Sequence, residues 1–217
     1  MTIDSIAPTP STTPGRPKDL AKRAAILQAA QTLFLKLGYD GSSMDAIAAE
    51  AGVSKLTVYS HFNDKESLFS AAVEAHCAHQ LPPLCFDLAP ETPIAQALFS
   101  VARRFQGMLG GCDAIAMHRL MVGMAVQNPA LTLLFFNAGP KRAITEMSRL
   151  LQQAHDQHKL EIPDVAMAAD FFLSSFSGCS HFRHILAIDS QCDEVANEAY
   201  AHEVVQRFMR GYGVGAI

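Results

Sequence analysis

Apolar residues recur along this chain at intervals of three and four, with polar residues between them. From Leu20 to Leu37, the residues Ile26, Ala30, Leu33, Phe34 and Leu37 share one face, the spacing of an amphipathic helix. Gly38 follows as a natural residue to end it. Met44, Ile47, Ala48 and Ala51 repeat the pattern over a shorter span. Ser42 precedes Asp45 at capping-box spacing and is predicted to start that helix. Ser54 can cap the next one, and Asn63 with Glu66 a further one beginning near Asp64. This last helix continues over Ser67 to Gln80, and Leu81-Pro82-Pro83 stops it. Residues 84–93 form a loop. Further helices are predicted over Ile94 to Leu109, Asp113 to Gln127, Pro129 to about His155, Pro163 to near Ala187, and Asp193 to Arg210. No stretch alternates with the period of a strand, so the fold class is all-α, with about nine helices.

The segment Ser42 to Phe62, SSMDAIAAEAGVSKLTVYSHF, carries the most specific information. Ala48, Gly52 and Val58 suit a helix-turn-helix. Ala48 is small where the second helix crosses. Gly52 permits the positive φ of the turn. Val58 is the apolar contact that locks the second helix onto the first. Helices joined this way meet steeply, which leaves the second free to enter a DNA major groove.

The block Ala24 to Phe69 adds an F-x-x-x-G-Y after the first helix, the A-x-x-A-G-V-S turn, T-V-Y-x-H-F, and K-E-x-L-F opening the fourth helix. With these motifs the chain resembles the N-terminal domain of the TetR family of bacterial transcriptional regulators. Leu56 stands where many members carry a small residue or Pro. The resemblance implies a helix-turn-helix domain over 16–64 and a larger helical domain over 65–217 for effector binding and dimerisation. It also implies a repressor, released from DNA by a ligand. Its expected partners are double-stranded operator DNA, a second copy of the chain and a small lipophilic or aromatic effector. Control by a protein partner or by thiol oxidation is the alternative.

Charge changes the picture only through its distribution. The net charge is −4, yet residues 14–65 carry +2 and the rest −6, which helps orient the basic part toward phosphate. Residues 1–15 read as a disordered tail without a signal pattern. No apolar run is long enough for a bilayer, so the expectation is a cytoplasmic protein without membrane contact. The five cysteines (77, 85, 112, 179, 192) are widely spaced, odd in number and form no C-x-x-C pair, so neither a disulfide framework nor a structural zinc site is suggested, and no metal or cofactor is expected. His76 and His79 could share a ligand at i, i+3, but solvated histidines at a helix end are the simpler reading. No G-x-S-x-G, H-E-x-x-H or paired His/carboxylate motif points to an enzyme.

Candidate DNA contacts follow from position. Lys55 and Thr57 begin the recognition helix and suit base edges, with Leu56 adding an apolar contact. Tyr59, His61 and Lys65 suit phosphates. Ser43 sits at a helix N-terminus where phosphate is favoured. Arg16 and Lys18 form an arm for the backbone or minor groove. In the middle helices, Phe105, Met108, His118, Met121, Met124 and Phe135, with Phe172 and Phe176 further on, either fill the core or line the pocket the resemblance implies. Arg119 and Gln127 are further polar candidates there. Phe171, Ser175, Cys179, Phe182, Val205 and Met209 lie on apolar, small-residue surfaces of the last two helices. These surfaces are covered by the same chain or, as the resemblance implies, by a second one.

Overall fold

The computed structural model describes the backbone of residues 16–188 and 194–215, with side chains from Asp19 and from Val195 onward in those two stretches. The tail expected over 1–15, the side chains of Arg16 and Lys18, and Cys192 lie outside the described residues. Eleven α-helices follow one another, with no named strand among the described residues: α1 (Arg16–Gly41), α2 (Met44–Glu50), α3 (Lys55–His61), α4 (Lys65–Gln80), α5 (Ile94–Gly110), α6 (Cys112–Met124), α7 (Pro129–Ala138), α8 (Pro140–Asp156), α9 (Val165–Ser174), α10 (Cys179–Ile185) and α11 (Glu194–Tyr212). A 3-10 turn at Pro83–Phe86 interrupts the expected loop after α4.

Most predicted helices form, but several ends and joints differ. Gly38 ends the regular helix as expected: its φ of 75° and ψ of 172° are not helical, and only a short helical turn continues past this kink to Gly41. Ser43, not Ser42, caps α2: its Oγ accepts from the Ala46 amide at 3.1 Å. Ser42 is buried, and its Oγ donates to the carbonyls of Gly38 and Leu33. Asp64, not Asn63, caps α4, in a reciprocal capping box with Ser67. Ser54 caps α3 as expected. The long helix expected over 129–155 is two helices meeting at Gly139-Pro140, because Pro140 has no amide to continue α7. The helix expected over 163–187 also divides, between Ser174 and Cys179.

Two cores result. The first joins α1–α4 through Ile26, Phe34, Ile47, Val58, Leu68 and Phe69, and it reaches Met121, Leu131 and Ala138 of α6 and α7. Phe34, Tyr39 and Phe69 pack ring against ring at its centre, with centroids 5.3–5.7 Å apart. The second core joins α5, α8, α9 and α11 around Leu98, Val101, Met147, Leu150, Phe172 and Phe208. Helix α4 serves both halves, packing on α1, α5 and α7. Gly139 lets the start of α8 lie close to α4: a Cβ there would meet Cys77 Sγ at 3.2 Å and Val73 Cγ1 at 3.4 Å.

Candidate nucleic-acid interface and interior cavity

The turn between α2 and α3 is built as its sequence requires. Gly52 has φ 65°, and a Cβ there would meet nothing within 4 Å, so conformation rather than space selects glycine. Ala48 and Val58 are buried where α2, α3 and α1 meet. This leaves the opposite face of α3 to solvent. Leu56 is 80% exposed, a large apolar side chain presented to solvent. Lys55 is exposed beside it, with Nζ 2.8 Å from Asp45 Oδ1. The Asp45 carboxylate, by hydrogen bond and by charge, raises the Lys55 pKa, so this ammonium stays charged. It also lies 5.9 Å from the centroid of the Tyr59 ring. Thr57 is half-buried, with Oγ1 2.8 Å from Ser54 Oγ. Ser43 and Tyr59 are exposed. Lys55, Leu56 and Tyr59 therefore share a solvent-facing surface with the end of α2.

Two residues expected at phosphates are occupied elsewhere. The Lys65 ammonium donates to the carbonyls of Tyr39 at 2.9 Å and Ser42 at 3.1 Å, and sits 4.1 Å from the Tyr39 ring centroid. It fastens the last turn of α1 and the link to α2 to the start of α4. The His61 side chain is only 11% exposed, with Nε2 3.2 Å from Asp19 Oδ1. It ties α3 to α1 instead of facing outward.

A cavity of about 800 Å³ opens between the two halves. Its wall combines α1 and α4 with α5, α6, α7, α8 and α10. Phe105, Met108, His118, Met121 and Phe135 line it, and Met117, Phe34, Phe69 and Phe86 join them. Three expected lining residues do not. Met124 packs with the first core. Phe172 of α9 and Phe176 just after it are buried in the second, edge-on to each other, because this face of α9 packs against Phe208 of α11 rather than toward α6. Arg119 is absent from the lining as well; its guanidinium donates to the carbonyls of His184 and Ile185 and caps α10.

Several polar groups around this cavity are paired. Arg142 pairs with Glu74 at 3.2 Å. The Gln31 amide donates to the Ala72 carbonyl at 2.8 Å. Burial pushes the Cys77 thiol up. On the α6–α10 side, His118 Nδ1 lies 3.1 Å from His181 Nε2, with the rings at 89°. Burial and then the neighbouring imidazole lower His118 to about 4. Burial, then His184, lowers His181 too, so both rings are neutral at pH 7. His181 is only 9% exposed, and its Nδ1 has no hydrogen-bond partner. Sequence reasoning missed His181 because its partner is 63 residues away. No group of three or more potential metal ligands occurs among the described residues.

On the outer face of α9 and α10, Phe171 and Phe182 are each 59% exposed, and Cys179 is exposed beside them. Ser175 is half-buried, with its carbonyl accepting from the Tyr200 hydroxyl at 2.8 Å. Val205 and Met209 do not share this face. Val205 is buried and Met209 half-buried in the protomer's own second core, where α11 packs on α5. No helix among the described residues is long and apolar enough to cross a membrane.

Residues 26–72 match the family described as bacterial regulatory proteins, tetR family. Residues 96–214 match that described as AefR-like transcriptional repressor, C-terminal domain. The chain is 32% identical over 106 residues to the HTH-type transcriptional repressor BdcR of Escherichia coli K12, covering 47% of this chain and 53% of that repressor. The matched stretches span about a third or less of other curated relatives. Among solved structures, one from Mesorhizobium loti, described as of the TetR family, superposes with a TM-score of 0.77 at 26% identity, over 91% of this chain and 100% of the other. A flavonoid-responsive regulator, FrrA, superposes with a TM-score of 0.69 at 31% identity, over 90% and 98% of the two chains.

Proposed function

Because the chain belongs to the TetR family of bacterial transcriptional regulators, we propose that it acts as a homodimeric repressor released from a palindromic operator by a small aromatic ligand. The observation that carries this reading is the position of the cavity. Helices α1 and α4 form one side of it, and α5 to α8 with α10 form the other. A ligand filling it touches the helices that hold the DNA reader and the helices that hold the dimer face. Only differential affinity for two arrangements can shift an equilibrium between them. This wall supplies such a difference, because α4 cannot move against α8 or α6 without changing the cavity.

In the DNA-bound state, two copies of α3 enter successive major grooves on one side of the duplex. Half-sites for simple helix-turn-helix dimers lie about one helical turn, roughly 34 Å, apart. Lys55 donates to guanine, Thr57 and Leu56 meet thymine methyl groups, and Ser43 and Tyr59 hold phosphates. Arg16 and Lys18 extend the contact along the backbone. Dimerisation uses the exposed face of Phe171, Cys179 and Phe182. The repressor sign follows the similarity to BdcR, and the aromatic ligand follows the lining and the flavonoid-responsive relative. Control by thiol oxidation has less support at Cys77, whose raised pKa disfavours the reactive thiolate.

The test is reciprocal. An operator is selected from a random DNA pool, and flavonoids are titrated with and without it. An inducer must lose affinity in the presence of operator by the factor with which it weakens DNA binding. Equal affinity in both titrations overturns the induction reading.

A further inference from the structure

We propose that His118 and His181 form the polar anchor of the cavity, and that its ligand is an uncharged aromatic compound whose hydroxyl docks on His181 Nδ1. The inference rests on the reading of the cavity as an effector site. It adds the chemistry of the effector and the residues that select it.

The first support is the unpaired atom. His181 is nine-tenths buried, lines the cavity, and carries a buried nitrogen without a hydrogen-bond partner. A buried polar group left unpaired is costly and calls for an explanation. Of the other polar groups in the wall, Arg142 is engaged by Glu74 and Gln31 by the Ala72 carbonyl, while Gln28, Lys36, Asp113 and Ser177 are exposed. No third metal-ligating side chain joins the two imidazoles among the described residues, so a cation does not explain the pair.

The second support is the logic of two coupled neutral rings. One nitrogen of each is committed to the 3.1 Å bond between them. If His118 Nδ1 donates, His181 Nδ1 carries a proton and His118 Nε2 is an acceptor. If His181 Nε2 donates, the roles reverse. In either tautomer the pair presents one donor and one acceptor. A hydroxyl is both donor and acceptor on one atom, so it satisfies His181 Nδ1 in both states. A ketone or ether oxygen satisfies it in only one.

The third support is the remainder of the wall. Phe34, Phe69, Phe105 and Phe135 supply ring faces and edges, and Met117 and Met121 supply polarisable thioethers, surfaces that favour an aromatic skeleton. The two histidines offer a ligand charge no counter-ion, and the charged side chains elsewhere in the wall are paired (Arg142 with Glu74, Glu146 with Arg149) or exposed (Lys36, Asp113), which selects against a carboxylate or amine at the anchor. A volume of about 800 Å³ is enough for two or three rings.

The experiment uses the full chain and matched probes: flavone, which has no hydroxyl, and its monohydroxylated forms. Calorimetry on the wild type should show at least one hydroxyflavone binding about tenfold more tightly than flavone. His181→Phe should reduce that preference to about twofold or less while flavone still binds. Ring-nitrogen NMR of the wild type needs no substitution; the His181 Nδ1 resonance should shift with the preferred hydroxyflavone and not with flavone. The proposal is overturned if no hydroxyflavone outbinds flavone, if the preference survives His181→Phe, or if Nδ1 does not respond. Tight, hydroxyl-selective binding without operator release would uphold the anchor and overturn induction. Equal operator release from wild type and His181→Phe by the same hydroxyflavone would do the opposite.

Discussion

Lys55 of the recognition helix is held by Asp45 of the preceding helix, with Nζ 2.8 Å from Oδ1. Both side chains are exposed, so the pair does little for stability. On the proposed DNA-reading role of Lys55, the pair's effect falls on DNA binding, because the carboxylate competes with the operator for this cation. Asp45→Asn should leave the thermal midpoint nearly unchanged, raise operator affinity and steepen its salt dependence. Lys55→Ala should weaken operator binding roughly 10- to 100-fold and relax preference at one or two base positions. Binding selections with both variants check this; an unchanged preference in Lys55→Ala would remove Lys55 from base reading.

Lys65 leads to the opposite expectation. Its ammonium serves two carbonyls and a ring within the protomer. Lys65→Met should cost about 1–2 kcal/mol of stability, the scale of lost charge-assisted hydrogen bonds. The slope of operator affinity against salt should stay the same. Chemical denaturation and a salt titration separate these outcomes, and a slope smaller by about one would place Lys65 at a phosphate after all.

The His118–His181 pair makes stability depend on acid. His118 is held near 4 in the folded chain against an ordinary 6.5. Between those values the unfolded chain binds a proton that the folded chain refuses, so stability falls as pH drops. The contribution is complete above about pH 6.5 and is lost progressively down to about pH 4. Carboxylates add their own acid dependence, so the readout is a difference. The wild type should lose more stability than His118→Phe over that window, measured by denaturant midpoints at each pH.

The dimer face can be tested against the protomer core. Phe171 and Phe182 are exposed, whereas Val205 is buried in its own chain. Phe182→Asp should yield a folded monomer with weak operator binding. Val205→Asp should unfold the protomer, because a charge is buried without a partner. Sedimentation and circular dichroism distinguish the two. A dimeric Phe182→Asp would move the interface elsewhere.

The helix-turn-helix was legible because its signals are local. Gly52, Ala48, Val58 and the Ser54 cap act within about ten residues of one another. Cap positions shifted by one residue at Ser43 and Asp64, since neighbouring polar residues offer nearly equivalent oxygens. The joint at Gly139-Pro140 was visible in the letters but lost in a continuous apolar pattern. Long-range choices were not legible. Spacing alone does not tell whether Phe172 faces a cavity or a core, or that His181 meets His118. Lys65 looked like any exposed cation, and its partners are carbonyls more than twenty residues earlier.

The shared wall of the cavity sets a limit on how this regulator can be re-engineered. Gln28, Gln31 and Thr32 of α1 and Ala72 and Val73 of α4 line the cavity. The same two helices carry the core that positions α3. Substitutions selected there for a new effector also alter basal silencing, so sensor libraries built on these positions should trade selectivity against leakiness. Changes on the α6–α10 side, around His118 and His181, leave α1 and α4 intact and should retune recognition with less background expression.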